Sequence, residues 1–383
     1  MQITRWQMEQ QEETAEVSAE IDGFRLWYRV PKSCAVSRAA DPFLAAALLP
    51  AMAKDDPLEV DRSLPVSPRF LTHAETLQEI YHCWNPVLKK ISIRARTAPS
   101  ETVNAGTCSF FSGGVDSMYT LLTRASEITH AVFIQGFDFF VDPALYQVAI
   151  ERNAAFVRDL GKTLIPVQTN YYPFGYRHHL SILLSHGSTL ASVALLLGFP
   201  RVYVPSTCSY AEMVPLGSHP LTDPLWSSDA VALVHDGAEM RRPEKLPTIV
   251  ECPSALAHLR VCAQDMNTNC GRCEKCLRTM IPLRVLGVEG PFPPFRGLRA
   301  IRKMRIDNNI EKIFLAANVA FAQQSRDRAL QKALGTCLRR HERWQLLRET
   351  DRVLGGGYLR QTLRRRRVAR WGLPWINIIP EDM

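Results

Sequence analysis

Six consecutive residues, Ser112-Gly113-Gly114-Val115-Asp116-Ser117, carry the strongest chemical signal in the chain. Two adjacent glycines let the backbone turn sharply and come close to a ligand. Where a helix starts behind such a turn, its first amides and its dipole converge on one point and favour an anion. The Ser112 and Ser117 hydroxyls add donors suited to phosphate oxygens. Asp116 would repel a bare anion, so its place is beside a Mg²⁺ ion or as a cap on the loop. The pattern is not the Walker sequence, which needs Lys and then Ser or Thr after its last glycine.

A second constellation lies downstream. Cys262, Cys270, Cys273 and Cys276 are spaced Cys-x7-Cys-x2-Cys-x2-Cys. Zn²⁺ takes four thiolates in a tetrahedron, and short Cys-x2-Cys turns present sulfurs with little strain. The expectation is a closed structural zinc site, with an iron–sulfur cluster as the alternative. Cys252, beside Pro253, is a spare that could stand in for Cys262. The chain has ten cysteines, and five fall between Cys252 and Cys276. One metal site in a reducing compartment explains this clustering better than a disulfide framework.

These residues need elements to position them. The apolar, β-prone Thr107-Cys108-Ser109-Phe110-Phe111 precedes the loop, and the amphipathic Met118-Tyr119-Thr120-Leu121-Leu122 follows it. The sequence thus predicts strand, tight loop and helix. Further strands are predicted at 131–136, 163–168 and 201–205, with helices at 143–160 and 185–197. Short apolar strands alternating with helices specify an α/β fold with a doubly wound parallel sheet. Ligands of such sheets bind at the C-terminal ends of the strands, which is where the loop falls. Residues 206–245 read as a long irregular segment, a substrate loop and lid.

The 383 residues are enough for two or three domains. Residues 1–100 read as an N-terminal accessory α+β unit, with a strand at 24–30, helices at 41–52 and 72–84 and an edge strand at 90–96. It carries no catalytic motif and would serve as substrate cover or as a subunit contact in a homo-oligomer. Residues 101–290 hold both motifs. Residues 291–383 read as a basic helical extension, with helices at 301–323 and 325–349. Arg360, Arg364, Arg365, Arg366, Arg367 and Arg370 concentrate part of the formal +8 charge there. Such a run is a solvated helix face or a contact for nucleic acid or an acidic protein. The closing Trp371-Gly372-Leu373-Pro374-Trp375 reads as a docking segment. Apolar residues make up 46% and charged residues 22%, as in ordinary globular enzymes. The longest uncharged apolar run, 190–199, is far too short to span a membrane. The N-terminus has no apolar signal core, so a cytoplasmic location is expected.

Ser-Gly-Gly-Val-Asp-Ser in a strand–loop–helix setting resembles the PP-loop of the ATP pyrophosphatases. That group includes GMP synthetase, NAD synthetase, asparagine synthetase, tRNA thiolases and 7-cyano-7-deazaguanine synthase. The run Asn269-Cys270-Gly271-Arg272-Cys273-Glu274-Lys275-Cys276-Leu277-Arg278, after an earlier cysteine, resembles the zinc knuckle of 7-cyano-7-deazaguanine synthases, which also carry the PP-loop upstream. The resemblance covers roughly residues 107–287, about half the chain. It implies a Rossmann-like PP-loop domain over 101–290. It implies that Ser112, Gly113, Gly114, Val115, Asp116 and Ser117 bind ATP with Mg²⁺, that Cys262, Cys270, Cys273 and Cys276 ligate Zn²⁺, and that Arg278 lies near the site. Lys245, in Pro243-Glu244-Lys245-Leu246, falls where the family has a lysine aimed at the phosphates, a role suited to a compact point charge. The implied reaction is adenylation of a carboxylate or amide oxygen of a small acid, releasing pyrophosphate. Attack by ammonia or an amine then gives an amide or, after a second ATP, a nitrile. Asp116 and Lys245 are the candidate catalytic residues.

The chain departs from that family in three places. His186-Gly187-Ser188 stands where the family has a Gly-Arg-Asn turn. A longer loop at 206–229 replaces the substrate-contacting segment. The synthases have nothing like residues 1–100 or the C-terminal helices. The same superfamily offers two other readings. One is a tRNA sulfur-transferase using Cys108 or Cys208, and the other is an adaptor that binds ATP without turnover.

Overall fold

The computed structural model describes residues 1–136, 143–265, 267–295, 297–306, 309–354 and 362. The arginine run from Arg360 to Arg370 and the segment 371–375 lie outside the described residues. The strands are β1 (Gln2–Gln10), β2 (Thr14–Ile21), β3 (Phe24–Pro31), β4 (Leu58–Val60), β5 (Pro65–Val66), β6 (Ile93–Arg94), β7 (Arg96–Thr97), β8 (Thr107–Phe110), β9 (His130–Gln135), β10 (Thr163–Thr169), β11 (Arg201–Pro205) and β12 (Ala232–Asp236). The helices are α1 (Asp41–Lys54), α2 (Pro68–Trp84), α3 (Val115–Thr123), α4 (Pro143–Asp159), α5 (Tyr171–Arg177), α6 (Ile182–Leu197), α7 (Leu246–Val250), α8 (Pro253–His258), α9 (Glu274–Leu286), α10 (Leu298–Lys303), α11 (Asn309–Gln323) and α12 (Arg328–Leu354).

Ten strands form one sheet in the order β12-β11-β8-β9-β10-β3-β2-β1-β4-β6. The stretch from β12 to β10 is parallel throughout. In chain order those strands run fifth, fourth, first, second, third, so the direction of winding reverses between β8 and β11. That reversal is the position where open α/β sheets leave a crevice. Strand alternation faces β8, β9 and β11 both ways. Cys108, Phe110, Val202 and Val204 join an apolar cluster with α1, α2 and α6. Phe111 and Tyr203 join another with α3, α4, α7, α8 and α9. Helices therefore cover both faces of a large, mostly parallel sheet.

The first hundred residues share that sheet. β3 pairs antiparallel with β10, matching Arg29 with Gln168 and Tyr28 with Thr169. β2 and β1 continue the meander, and α1 lies in the same apolar cluster as α6. The sequence reading of 1–100 as a unit of its own missed β1 and β2. Charged residues such as Arg5 and Glu9 interrupt the apolar alternation of β1, and β2 buries Glu16, which Arg25 and Arg29 neutralise at 2.6 Å each.

The segment 206–245 also differs from the expected lid. It contains β12, and much of its polar content is buried. Trp226 is fully buried, with ring centroids 6.1 Å from Phe70 and 6.3 Å from Tyr81. The Tyr81 hydroxyl donates to the Gly217 carbonyl at 3.0 Å, and the Ser67 hydroxyl donates to Asp229 at 2.8 Å. Residues 216–230 are thus a strap that fixes α2 to the sheet. His186-Gly187-Ser188 lies within α6 rather than in a turn.

The C-terminal part is helical. α10, α11 and α12 pack on the back of α9 through Ile281, Ile301, Leu315, Leu330 and Leu334. Among the described residues, no helix is long and apolar enough to cross a membrane.

The strap crosses α6 where Gly187 has no side chain, and a Cβ there would meet the Gly217 carbonyl oxygen at 2.0 Å. Gly187→Ala is expected to destabilise the fold by about 1–3 kcal/mol, as overpacking does, measured by urea denaturation.

Candidate functional site

The 112–117 loop leaves the C-terminal end of β8 at the reversal point of the sheet. Gly113 has φ +75°, the left-handed region that favours glycine. Its carbonyl accepts from the Arg260 amide at 2.9 Å, and a Cβ on it would lie 3.3 Å from Oδ1 of Asn153 on α4. Gly114 is the N-cap of α3, and no side chain caps that end. The first amides of a helix have no partner within it, so those of α3 remain directed at the loop. The serines are partly committed to the turn itself. The Ser112 amide donates to Ser117 Oγ at 3.2 Å, and Ser117 Oγ donates to the Gly114 carbonyl at 3.2 Å. The arrangement suits an anion at the start of α3, supplied with amides and with hydroxyls that can re-aim.

Asp116 does not cap the loop. Its carboxylate turns to two cations, pairing with Arg242 through one oxygen and with Lys245 Nζ at 3.2 Å through the other. Both cations come from a 3-10 turn at Arg242–Lys245, started by Pro243 and closed by the Glu244 side chain accepting from the Arg241 amide at 2.8 Å. Lys245 is only 1% exposed. A buried ammonium needs compensating partners. Besides Asp116 it has the Ser206 carbonyl at 2.7 Å and the Tyr119 ring, whose centroid is 5.6 Å away. Ser206 follows β11, so Lys245 ties the two strand ends that flank the reversal point.

Ser206 is itself held from below. Its amide donates to the Asp236 carbonyl at 2.7 Å. Its hydroxyl lies 2.9 Å from His235 Nε2, and His235 Nδ1 lies 2.6 Å from Asp223. Asp236 in turn accepts from Thr120 at 2.9 Å and from Arg124 at 2.8 Å, which fixes α3 to β12.

The structure thus brings Ser112, Gly113, Gly114, Val115, Asp116, Ser117 and Lys245 together. The sequence placed Arg242 only among the polar residues of the expected 206–245 substrate loop, not beside Asp116. The Arg241-Arg242-Pro243-Glu244-Lys245 run was its only signal. Arg278 stands across a cleft from Arg242, and burial and the like charge of Arg242 pull its guanidinium down to about 10. A divalent cation could use the Asp116 carboxylate, a hard oxygen donor, only once its two oxygens leave Arg242 and Lys245.

The four cysteines converge as their spacing implies. Sγ atoms of Cys262 and Cys273 are 3.9 Å apart, as are those of Cys270 and Cys276. All four lie within 4.8 Å of one another, and they can hold a metal such as zinc. Bonds of about 2.3 Å in a tetrahedron place sulfurs roughly 3.8 Å apart. Cys273 is the N-cap of α9. Its Sγ accepts from the Cys276 amide at 3.4 Å, as Cys270 Sγ does from the Cys273 amide, contacts that favour thiolates. Cys252 faces Ser254 instead, 3.6 Å away. Cys108 and Cys208 are both buried. Burial raises both thiols, that of Cys208 to about 11, so neither is a reactive thiolate.

Comparison with protein-family models, with curated proteins and with solved structures finds no match to this chain.

Removing one ligand opens the metal cage, whereas Cys252 lies outside it. Elemental analysis of the purified protein is expected to give one metal ion per chain, lost in Cys273→Ser and retained in Cys252→Ser. Cys273→Ser should also unfold at lower temperature, because metal binding is coupled to folding.

Proposed function

We propose that this protein activates a small carboxylic acid or amide with ATP, forming an adenylate and releasing pyrophosphate, and then joins the activated carbon to ammonia or an amine. The observation that best supports this is the pair of cations on Asp116, set at the mouth of a glycine loop at the sheet's reversal point. On this reading the 112–117 loop is a PP-loop. Its amides and serine hydroxyls bind the β and γ phosphates. Phosphate oxygens would replace Asp116 as partners of Arg242 and Lys245, and the Asp116 carboxylate would then be free to hold Mg²⁺, which would supply positive charge to the phosphates.

The substrate oxygen bonds to the α phosphorus as the bond to the bridging oxygen of the β phosphate breaks. Lys245 and Arg242 take up the charge on departing pyrophosphate, so the chain acts by positioning and by fixed electrostatics. The nitrogen nucleophile then bonds to the activated carbon, loses a proton, and AMP leaves. The cysteine cage would hold a single ion such as zinc rather than an iron–sulfur cluster, because its sulfurs lie within 4.8 Å of one another. It is structural, since all four positions are filled by protein thiolates. Sulfur transfer has less support, because Cys108 and Cys208 are buried with raised thiols.

Incubation with ATP, Mg²⁺, ammonium and a panel of acids is expected to yield AMP and pyrophosphate in equal amounts, read by chromatography and ³¹P NMR. ADP and phosphate from pure protein would contradict the proposal. Lys245→Met leaves the Asp116–Arg242 pair intact and should fold, yet lower turnover by about 10²–10³-fold, as loss of a preorganised charge partner does.

A further inference from the structure

The formal charge is divided sharply along the chain. Residues 291–383 hold 20 basic and 8 acidic residues, whereas residues 1–290 hold 26 and 30. The C-terminal part is therefore strongly cationic, and the rest of the chain is slightly anionic. Of those 20 basic residues 17 are arginines, whose planar fork fits phosphate oxygens. The described helices show how part of this charge is laid out. α12 buries Leu330, Ala333, Leu334 and Cys337 against its neighbours. At 3.6 residues per turn, Arg328, Lys332, Arg339 and Arg343 fall on the opposite side, within an arc of roughly 60° and over about 22 Å of helix. Arg340, on the flank of α12, donates to the carbonyls of Arg302, at 2.6 Å, and of Met304. That contact sets Arg302 and Lys303 of α10 alongside the row. All six basic residues are exposed. Among the described residues none of the six has an ion-pair partner, and Asp327, next to Arg328, is taken by Arg284 at 2.8 Å.

We infer that the outer face of α12, with the end of α10, docks on the phosphate backbone of double-stranded DNA. A merely solvated face would be built differently. Arg328 with Lys332, and Arg339 with Arg343, are like charges at i, i+4, an arrangement that destabilises a helix on its own. A soluble surface is better served by interspersed signs. Duplex DNA supplies the missing countercharge, because it carries one negative charge per roughly 1.7 Å of axis. An acidic protein would need large apolar anchors at the centre of the contact. Between Arg328 and Arg343 the outer face carries Gly335 and Thr336 instead. A single strand would need aromatic rings on which to stack its bases. The exposed Trp344 lies on the other side of α12, two turns beyond the buried Cys337. Duplex RNA closes its major groove to protein, whereas that of B-DNA, about 12 Å wide, admits an α-helix. The contact is to phosphates, so it is independent of base sequence. It does not rest on the adenylation reading.

The test titrates the full-length protein into a short, fluorescently labelled DNA duplex of mixed sequence at several salt concentrations, read by anisotropy. Six phosphate contacts predict a slope of about −5 in log K against log salt. Replacing Arg339 and Arg343 together by alanine should make that slope shallower by about 2, and so should replacing Arg328 and Lys332. Alanine favours a helix, circular dichroism checks each variant, and either folded pair carries the test. Lysine at both 339 and 343 keeps the charge and should keep the slope. Duplex RNA, single-stranded DNA and polyglutamate serve as competitors, and duplex DNA should bind at least tenfold more tightly than each. No binding of duplex DNA by the native protein would overturn the inference. An unchanged slope in folded alanine variants would also overturn it, because arginines outside the row would then carry the contact. A competitor that matches duplex DNA would overturn it as well, polyglutamate by showing that the face fits an acidic protein.

Discussion

A charged lysine with almost no exposure is the constraint the site depends on. Lys245 satisfies its ammonium with Asp116 at 3.2 Å and the Ser206 carbonyl at 2.7 Å. Those partners belong to α3 and to the end of β11, the two sides of the reversal point. Removing either partner would leave a buried charge uncompensated, which costs several kcal/mol. The lysine therefore fixes the spacing between the glycine loop and the opposite strand. His235 and Asp223 hold Ser206 from one side of the sheet, while Thr120 and Arg124 hold Asp236 from the other. What binds at the loop meets a frame that is already assembled.

Helix α9 links this frame to the rest of the chain. Its first turn is anchored by Cys273 and Cys276, both in the cysteine cage. Five residues beyond Cys273, Arg278 reaches the cleft beside Arg242. The far half of the same helix packs against α10, α11 and α12. A metal ion in the cage would therefore fix the position of Arg278 and, through Phe314, the seating of α11. This gives a physical reason for a chain to keep a closed metal cage near a site without placing the metal in the chemistry.

Much of the α/β core was legible because its signals are local. Phe24–Pro31 alternates, Arg201–Pro205 is a short β-branched run, and Gly198 ends α6 in the left-handed conformation. The cysteine spacing and the loop were legible for the same reason, since each is a short contiguous pattern. The failures come from tertiary pairing. β1 and β2 are strands because of what they pair with, and Glu16 inside β2 is tolerated only because Arg25 and Arg29 meet it. The 206–245 segment looked like a polar lid because its Asp223, Ser227, Ser228 and His235 satisfy one another or nearby backbone internally, which composition cannot reveal. Arg242 and Asn318 are brought to one cleft by helices far apart in sequence, so no spacing rule could have joined them.

Binding of ATP tests whether the glycine loop is an anion cradle, without knowledge of the acid. Calorimetry with Mg²⁺ and ATP should show binding to the native protein. Gly113→Ala forces a side chain onto a backbone at φ +75°, so it should lose that binding while keeping its metal and its far-ultraviolet spectrum. Equal affinity in the two proteins, or no affinity in the native one, would contradict the account.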